Sequence, residues 1–311
     1  MKKFLWMLLI LIMVATTACT PAQAPAEEPA EAPMEEEMTE EPMEEAMEET
    51  EAATEMAEEM AMYPDGMYYA EGDEFSANSG WKSVVILKVM DGKITEANWT
   101  GASIKGGMDK KTASMNGAYP MVEAGGAQAP WHEQAKNMEM NLIDLQDPSK
   151  GEYNSEGYTD TVSGVSIHVN DFYMLADKAL KAGPVEPGPY KDGGYHAEAA
   201  EFSAQSGWKS TVDITVLNGN IVSVNWSGQH KDGGDDKKTV SMNGGYPMVE
   251  NGGAKAPWHE QAMNAEKHLL MTQDPWDIEL SDDGYADAIS SVSIHVNDFF
   301  GLAQEAMESA K

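Results

Sequence analysis

Ser166-Ile167-His168-Val169-Asn170-Asp171-Phe172 is written twice in this chain, the second time as Ser293-Ile294-His295-Val296-Asn297-Asp298-Phe299. Each copy follows a short polar run, Asp160-Thr161-Val162-Ser163-Gly164-Val165 and Asp287-Ala288-Ile289-Ser290-Ser291-Val292, and leads into apolar residues at helical spacing. A small hydroxyl residue just ahead of a helix reads first as an N-cap. The same position suits attachment of a phosphate group, because a helix N-terminus favours anions.

Outward from this stretch the duplication continues. Trp81 pairs with Trp208, Trp99 with Trp226, Trp131 with Trp258 and His168 with His295, always at an offset of 127 residues, from Tyr63/Tyr190 onward without a gap. Solenoid repeats run about 20–50 residues, so a unit of this length is a duplicated domain. The organisation expected is a first domain over 62–183, a proline-rich connector over 184–189 that acts as a short stiff spacer, and a second domain over 190–311. Identical blocks include Asp109-Lys110-Lys111-Thr112, Ser114-Met115-Asn116-Gly117, Tyr119-Pro120-Met121-Val122-Glu123 and Pro130-Trp131-His132-Glu133-Gln134-Ala135. Positions that differ, such as Lys88/Thr215 and Glu96/Ser223, read as surface.

Within one copy, Ser83–Met90, Asp91-Gly92 and Lys93–Trp99 predict a β-hairpin, with Asn218-Gly219 as the matching turn, since both dipeptides suit the type I′ turn. Gly66–Phe75 predicts an earlier strand, and Gly106–Gly126, rich in Gly, Asn and Lys, a loop with one helical turn. Pro130 opens a helix with Trp131, Ala135, Met138, Leu142 and Leu145 on one face, ended by Asp147-Pro148. A last helix carries Val169, Phe172, Ala176 and Ala179. The fold class is α+β: two tandem copies of a small antiparallel sheet covered by helices. Each copy, about 120 residues, is long enough to bury a core.

The start of the chain has the order of an export signal: Lys2 and Lys3, an apolar run Phe4–Val14, then Ala15-Thr16-Thr17-Ala18 ahead of Cys19, the sole cysteine. This resembles a bacterial lipoprotein signal over 1–18, with Thr16 where leucine is usual, and implies lipidation of Cys19. Residues 19–61 are Glu-, Ala-, Met- and Pro-rich with no Lys or Arg, a composition that buries little and reads as a disordered acidic tether. Its methionines raise copper binding, but histidine is absent there and a spacer is the simpler reading. A net charge of −33, with no arginine in the chain, argues against a nucleic-acid partner.

The run Asp-x-x-Ser-Gly-Val-Ser before a helix resembles the flavin-attachment motif of the FMN-binding domain family. With the lipoprotein signal, tether and tandem domains, the whole chain is similar to lipoproteins of flavin-based extracellular electron transfer in Gram-positive bacteria. The resemblance implies that a flavin transferase uses FAD to join FMN by a phosphodiester to the motif's last hydroxyl, here Ser166 and Ser293. Asp160 and Asp287 match the motif's leading acid, and Ser163 and Ser290 its first hydroxyl. The chain departs from the family in having Ser rather than Thr as acceptor, Val165 and Val292 for Ala, and Ser291 for the motif glycine. A phosphodiester on Ser166 is expected at the N-terminus of the last helix, with Lys110 and Lys111, and in the second copy Lys237 and Lys238, neutralising it. Tyr119, Met121, Tyr246 and Met248 are candidate ring contacts. His168 and His295 are candidate partners of flavin or phosphate, against the simpler reading of surface or capping histidines. A metal site at His132 and His168 lacks paired ligand spacing, and a Ser-His-acid hydrolase lacks the Gly-x-Ser-x-Gly elbow.

The function expected from the resemblance is an electron carrier rather than an enzyme, lipid-anchored on the extracytoplasmic face of the cell membrane. It would take electrons from a membrane quinol-linked donor and pass them to extracellular acceptors such as ferric iron or soluble mediators. The alternative is a flavin-free surface lipoprotein that binds a ligand or partner through Gly106–Gly126.

Overall fold

Asp91-Gly92 and Asn218-Gly219 set the frame of the computed structural model, which describes residues 63–311. The signal, Cys19 and the tether lie outside the described residues. Both members of each pair have positive φ, 52° and 71° in the first and 52° and 73° in the second. That is the backbone of a type I′ turn, whose twist matches the strands it joins. The turns link β2 (Trp81–Met90) to β3 (Lys93–Ser103) and β5 (Trp208–Leu217) to β6 (Asn220–His230). β1 (Gly66–Glu71) and β4 (Gly193–Glu198) pair with β2 and β5, so each copy is a three-stranded antiparallel meander. β1 stops at Glu71, short of the Phe75 expected.

The helices follow each sheet in the same order: α1 (Lys110–Met115), α2 (Met121–Gly125), α3 (Trp131–Leu145) and α4 (Asn170–Ala182), then α5 (Lys237–Met242), α6 (Met248–Gly252), α7 (Trp258–Thr272) and α8 (Asn297–Met307). The segment 106–126 therefore holds two short helices rather than one turn. Asp109 and Asp236 explain the first, since each caps the helix that follows it with its carboxylate. α3 and α4 bury the expected faces against the sheet: Trp131, Ala135, Met138 and Leu142 with Val169, Phe172, Ala176 and Ala179, while Leu145 is only partly buried. Trp99 is the hub, stacked on Phe172 at 5.0 Å and edge-on to Trp131 at 5.2 Å. Trp226 repeats this with Phe299 and Trp258, both at 5.1 Å. α3 ends on Gln146 in the left-handed conformation (φ 58°) rather than on glycine. The Gln146 side chain spans the Ile94 backbone, accepting from its N–H at 2.8 Å and donating to its carbonyl at 2.9 Å, which ties the helix end to β3.

The other face of β2 is buried as well. Val84, Ile86 and Ala102 join Leu217 and Val222 of the second copy in one apolar cluster. The unbroken run Val84-Val85-Ile86-Leu87 is thus a strand covered on both sides. Around it, Thr215 Oγ1 donates to Gly107 O at 2.8 Å, Ser223 Oγ to Ser103 O, and Lys82 Nζ to Val222 O at 3.4 Å. Gly106 approaches β5 so closely that a Cβ there would stand 2.2 Å from Asp213 O.

This overturns one expectation. Thr215 and Ser223, read as surface, are 0% and 1% exposed, because the first copy covers them. Their counterparts are less covered, Glu96 exposed and Lys88 half-buried, and pair at 2.8 Å across the hairpin. The connector is also more than a spacer: Val185 forms a bridge to Met67, and Gly188 N–H donates to Asn218 O at 2.9 Å. Among the described residues no helix is long and apolar enough to cross a membrane.

Candidate functional site

Ser166 sits in the loop before α4, separated from its first residue by Ile167, His168 and Val169. It is therefore not the cap of that helix, as expected. Val169 holds the cap position, and no side chain caps α4. The partner of Ser166 is instead Gln134 in the first turn of α3. Gln134 Oε1 accepts from the Ser166 N–H at 2.7 Å and from its Oγ at 3.2 Å, while Gln134 Nε2 donates to Ala129 O at 2.8 Å. Gln134 is 1% exposed. A buried amide satisfied at both ends is a rigid peg, and the serine that it holds lies exposed on the surface. The second copy repeats it: Gln261 accepts from Ser293 N–H at 2.7 Å and Oγ at 3.2 Å, and donates to Ala256 O at 2.7 Å. The acceptor hydroxyl is thus bonded to a side chain from the first turn of α3.

Asp160, Ser163, Asp287 and Ser290 are all exposed. Ser163 is fixed through its carbonyl, which accepts from Asn137 Nδ2 at 3.3 Å. Gly164 follows with φ 76°, and in the second copy Ser291 adopts the same left-handed conformation, φ 62°. A Cβ on Gly164 would meet Asn137 Nδ2 at 3.2 Å. The second copy thus carries, at the motif glycine, a side chain in a backbone region that disfavours one.

The two lysines of each pair part company. Lys110 packs against Gly101, where a Cβ would lie 3.6 Å from Lys110 Cβ, an ordinary contact distance. Its Nζ ends 4.9 Å from the Tyr119 ring centre and 4.8 Å from that of Trp131. Lys237 does the same with Tyr246 at 5.1 Å and Trp258 at 4.4 Å. Burial lowers both amines to about 8, only partly opposed by Asp171 and Asp298. Lys111 and Lys238 do not meet the expectation. Lys111 pairs with the buried carboxylate of Glu139 and donates to Asn98 Oδ1 at 2.7 Å; Lys238 pairs with Glu266 and donates to Asn225 Oδ1 at 2.7 Å. Glu139 also accepts from Trp99 N–H at 2.7 Å. These lysines pin α1 and α5 to the sheet and are committed to that role.

Tyr119 is half-buried, edge-on to Trp81 at 5.9 Å, and Tyr246 meets Trp208 at 6.4 Å. Met121 and Met248 open α2 and α6 and pack partly against the cores, not in a loop as expected. His168 lies against the Tyr158 ring at 4.3 Å, and His295 against Tyr285 at the same distance, with Tyr285 OH and His295 Nε2 2.9 Å apart. These contacts hold both histidines within their own loops. His132 Nδ1 is 2.9 Å from Ser114 Oγ, and no cluster of three metal-ligating side chains occurs among the described residues.

What converges is Lys110, Tyr119 and Trp131, with Asp171 close enough to be felt by the amine. A separate cleft of about 410 Å³ includes Trp81 and Asp171 and is otherwise lined by Met174, Leu175, Lys178 and the acidic Asp73 and Glu74. Sequence reasoning did not single out Gln134 or Gln261. The glutamines were visible only as members of a block identical in both copies.

No protein-family model matches the sequence, and no curated protein does either. Among solved structures, the chain is similar to a protein of Clostridium thermocellum determined in solution by NMR, with 58% identity, 38% of this chain and 90% of that chain covered, and a TM-score of 0.32. It is also similar to a protein of Clostridium perfringens known from a crystal structure, with 27% identity over 39% of this chain and 89% of that chain, again at a TM-score of 0.32.

Proposed function

We propose that the protein is a lipid-anchored, extracytoplasmic flavoprotein that carries FMN covalently on Ser166 and Ser293 and passes electrons from a quinol-linked membrane donor to extracellular acceptors. The observation that carries this reading is the pair of exposed serine hydroxyls, each fixed by a buried glutamine, at the same point of two copies. An acceptor hydroxyl must reach an enzyme's active site and must also hold its cargo in one place, and a rigidly pegged surface loop serves both needs.

The cluster of Lys110, Tyr119 and Trp131, and its counterpart Lys237, Tyr246 and Trp258, would suit an anionic, planar group. Lys110 and Lys237 are largely buried cations that form no salt bridge among the described residues and are held by aromatic rings instead. A negative charge nearby would relieve the penalty of burying them. Trp81 and Tyr119 supply flat apolar surface. The flavin would supply the redox chemistry; the chain fixes its position and sets the charge around it. Covalent tethering suits a site outside the membrane, where a dissociable cofactor is lost by dilution.

The test is direct. The mature chain is co-expressed with an FAD-dependent flavin transferase, denatured, and examined for flavin fluorescence on a gel and for added mass. A gain of one or two FMN groups is expected, abolished by Ser166→Ala with Ser293→Ala. No gain in the parent overturns the proposal; a gain that survives the double substitution shows that the wrong hydroxyls have been assigned.

A further inference from the structure

The contact between the two domains sets a glycine pair and a lysine that both copies share, Gly106-Gly107 and Lys82, against residues that differ between the copies, Thr215, Val222 and Ser223. On the giving side is the loop of the first copy, Gly106-Gly107 flanked by Ile104 and Met108. Its counterpart in the second copy is Gly233-Gly234 flanked by Lys231 and Asp235, and a Cβ on either of those glycines would meet nothing within 4 Å. On the receiving side are Thr215 and Ser223, direct partners across β5 and β6 and bonded to Gly107 O and Ser103 O. At the matching place on the first copy stand Lys88 and Glu96, direct partners across β2 and β3.

This contact is head-to-tail. Different surfaces of two similar domains meet, and such an interface has no built-in stopping point; repeated between chains, it would grow a filament. Here it stops. We propose that the Thr215–Ser223 surface is a recognition surface for the Gly106-Gly107 loop, and that the Lys88–Glu96 ion pair closes the equivalent surface of the first domain against a second copy of this chain. Covering that pair would strip two charges of water with no partner in a glycine loop to repay them. The first domain is thereby closed in the way a terminal repeat caps an array.

Two variants of the mature full-length chain test this. Lys88→Thr with Glu96→Ser opens the first surface to the free Gly233-Gly234 loop of a second copy; Glu96 is exposed and Lys88 half-buried in the parent. By sedimentation velocity the parent is expected to remain a monomer and this variant to give oligomers that lengthen with concentration. The second variant, Thr215→Lys with Ser223→Glu, writes the closing pair into the receiving surface. Amide exchange at Gly106–Met108 is expected to accelerate by about tenfold or more, with the two cores still protected. Self-association of the parent, a folded monomer from the first variant, or unchanged exchange in the second variant would each overturn the proposal. Should the first variant not fold, the exchange measurement decides alone.

Discussion

Ser291 offers a sharp test of the local physics, because the chain contains its own control. The loop conformation there is left-handed, φ 62°, and the first copy meets the same requirement with Gly164 at φ 76°. For an L-residue this region costs about 1–2 kcal/mol. Glycine removes that strain but loses about 0.4–1 kcal/mol through its freer unfolded chain. Ser291→Gly is therefore expected to stabilise the protein by about 0.5–1 kcal/mol. The reverse change should cost more. Gly164→Ser acquires the strain and also drives a Cβ to 3.2 Å from Asn137 Nδ2, threatening the bond from that amide to Ser163 O. A net hydrogen bond contributes about 0.5–1.5 kcal/mol, so the total loss is about 1–2 kcal/mol. Urea titration of the two variants beside the parent reads both effects as shifts in midpoint at constant slope. A destabilised Ser291→Gly, or a neutral Gly164→Ser, would refute the strain argument. If the flavin reading holds, relieving Ser291 should also raise the FMN load on Ser293 relative to Ser166.

Two further outcomes are expected. Burial holds Lys110 and Lys237 at about 8, below the ordinary lysine value of 10.5, so between those two pH values the unfolded chain binds more protons and stability should rise with pH. The penalty is fully present below pH 8, where Lys110→Met with Lys237→Met should raise the thermal midpoint at pH 7 and flatten the gain between pH 8 and about 9.5; a lower midpoint at pH 7 would contradict this. Gln134→Ala should cost about 1–3 kcal/mol by leaving the Ser166 N–H and the Ala129 carbonyl without their partner, with faster amide exchange at Ser166 by NMR; unchanged exchange would show that the peg does not hold the loop.

Much of one domain was legible in the sequence, because its signals are local. Asp91-Gly92 demanded positive φ at two consecutive residues, and the spacing from Trp131 to Leu142 matched the helix that formed. The start of α4 was misread because Ser166 has the chemistry of a cap, whereas the actual cap position holds Val169 and is closed by no side chain. Gln134 escaped notice because a glutamine's role depends on what stands opposite it, and Ser166 is far along the chain. The separation of Lys110 from Lys111 is a helix-phase effect: adjacent residues point apart, one to the aromatic rings and the other to Glu139. Thr215 and Ser223 looked like surface because the element that covers them belongs to the other domain. The one local hint was Val84-Val85-Ile86-Leu87, a run with no polar side to turn toward water.

The connector has a second use. β1 is an edge strand, and edge strands present unpaired backbone groups that recruit other chains. Val185 crosses that edge, its N–H donating to Met67 O at 2.7 Å, and Pro184 lies against Gly66, where a Cβ would stand 2.7 Å from the proline Cβ. Pro184, Pro187 and Pro189 have no N–H to offer a newcomer. On the second sheet, the turn Glu308–Ala310 reaches the neighbourhood of β4, with Lys191 N–H donating to Ala310 O at 2.7 Å. The segment that joins the two domains therefore also guards the first against aggregation. A flexible Gly-Ser replacement of equal length would keep the domains tethered and leave that edge open.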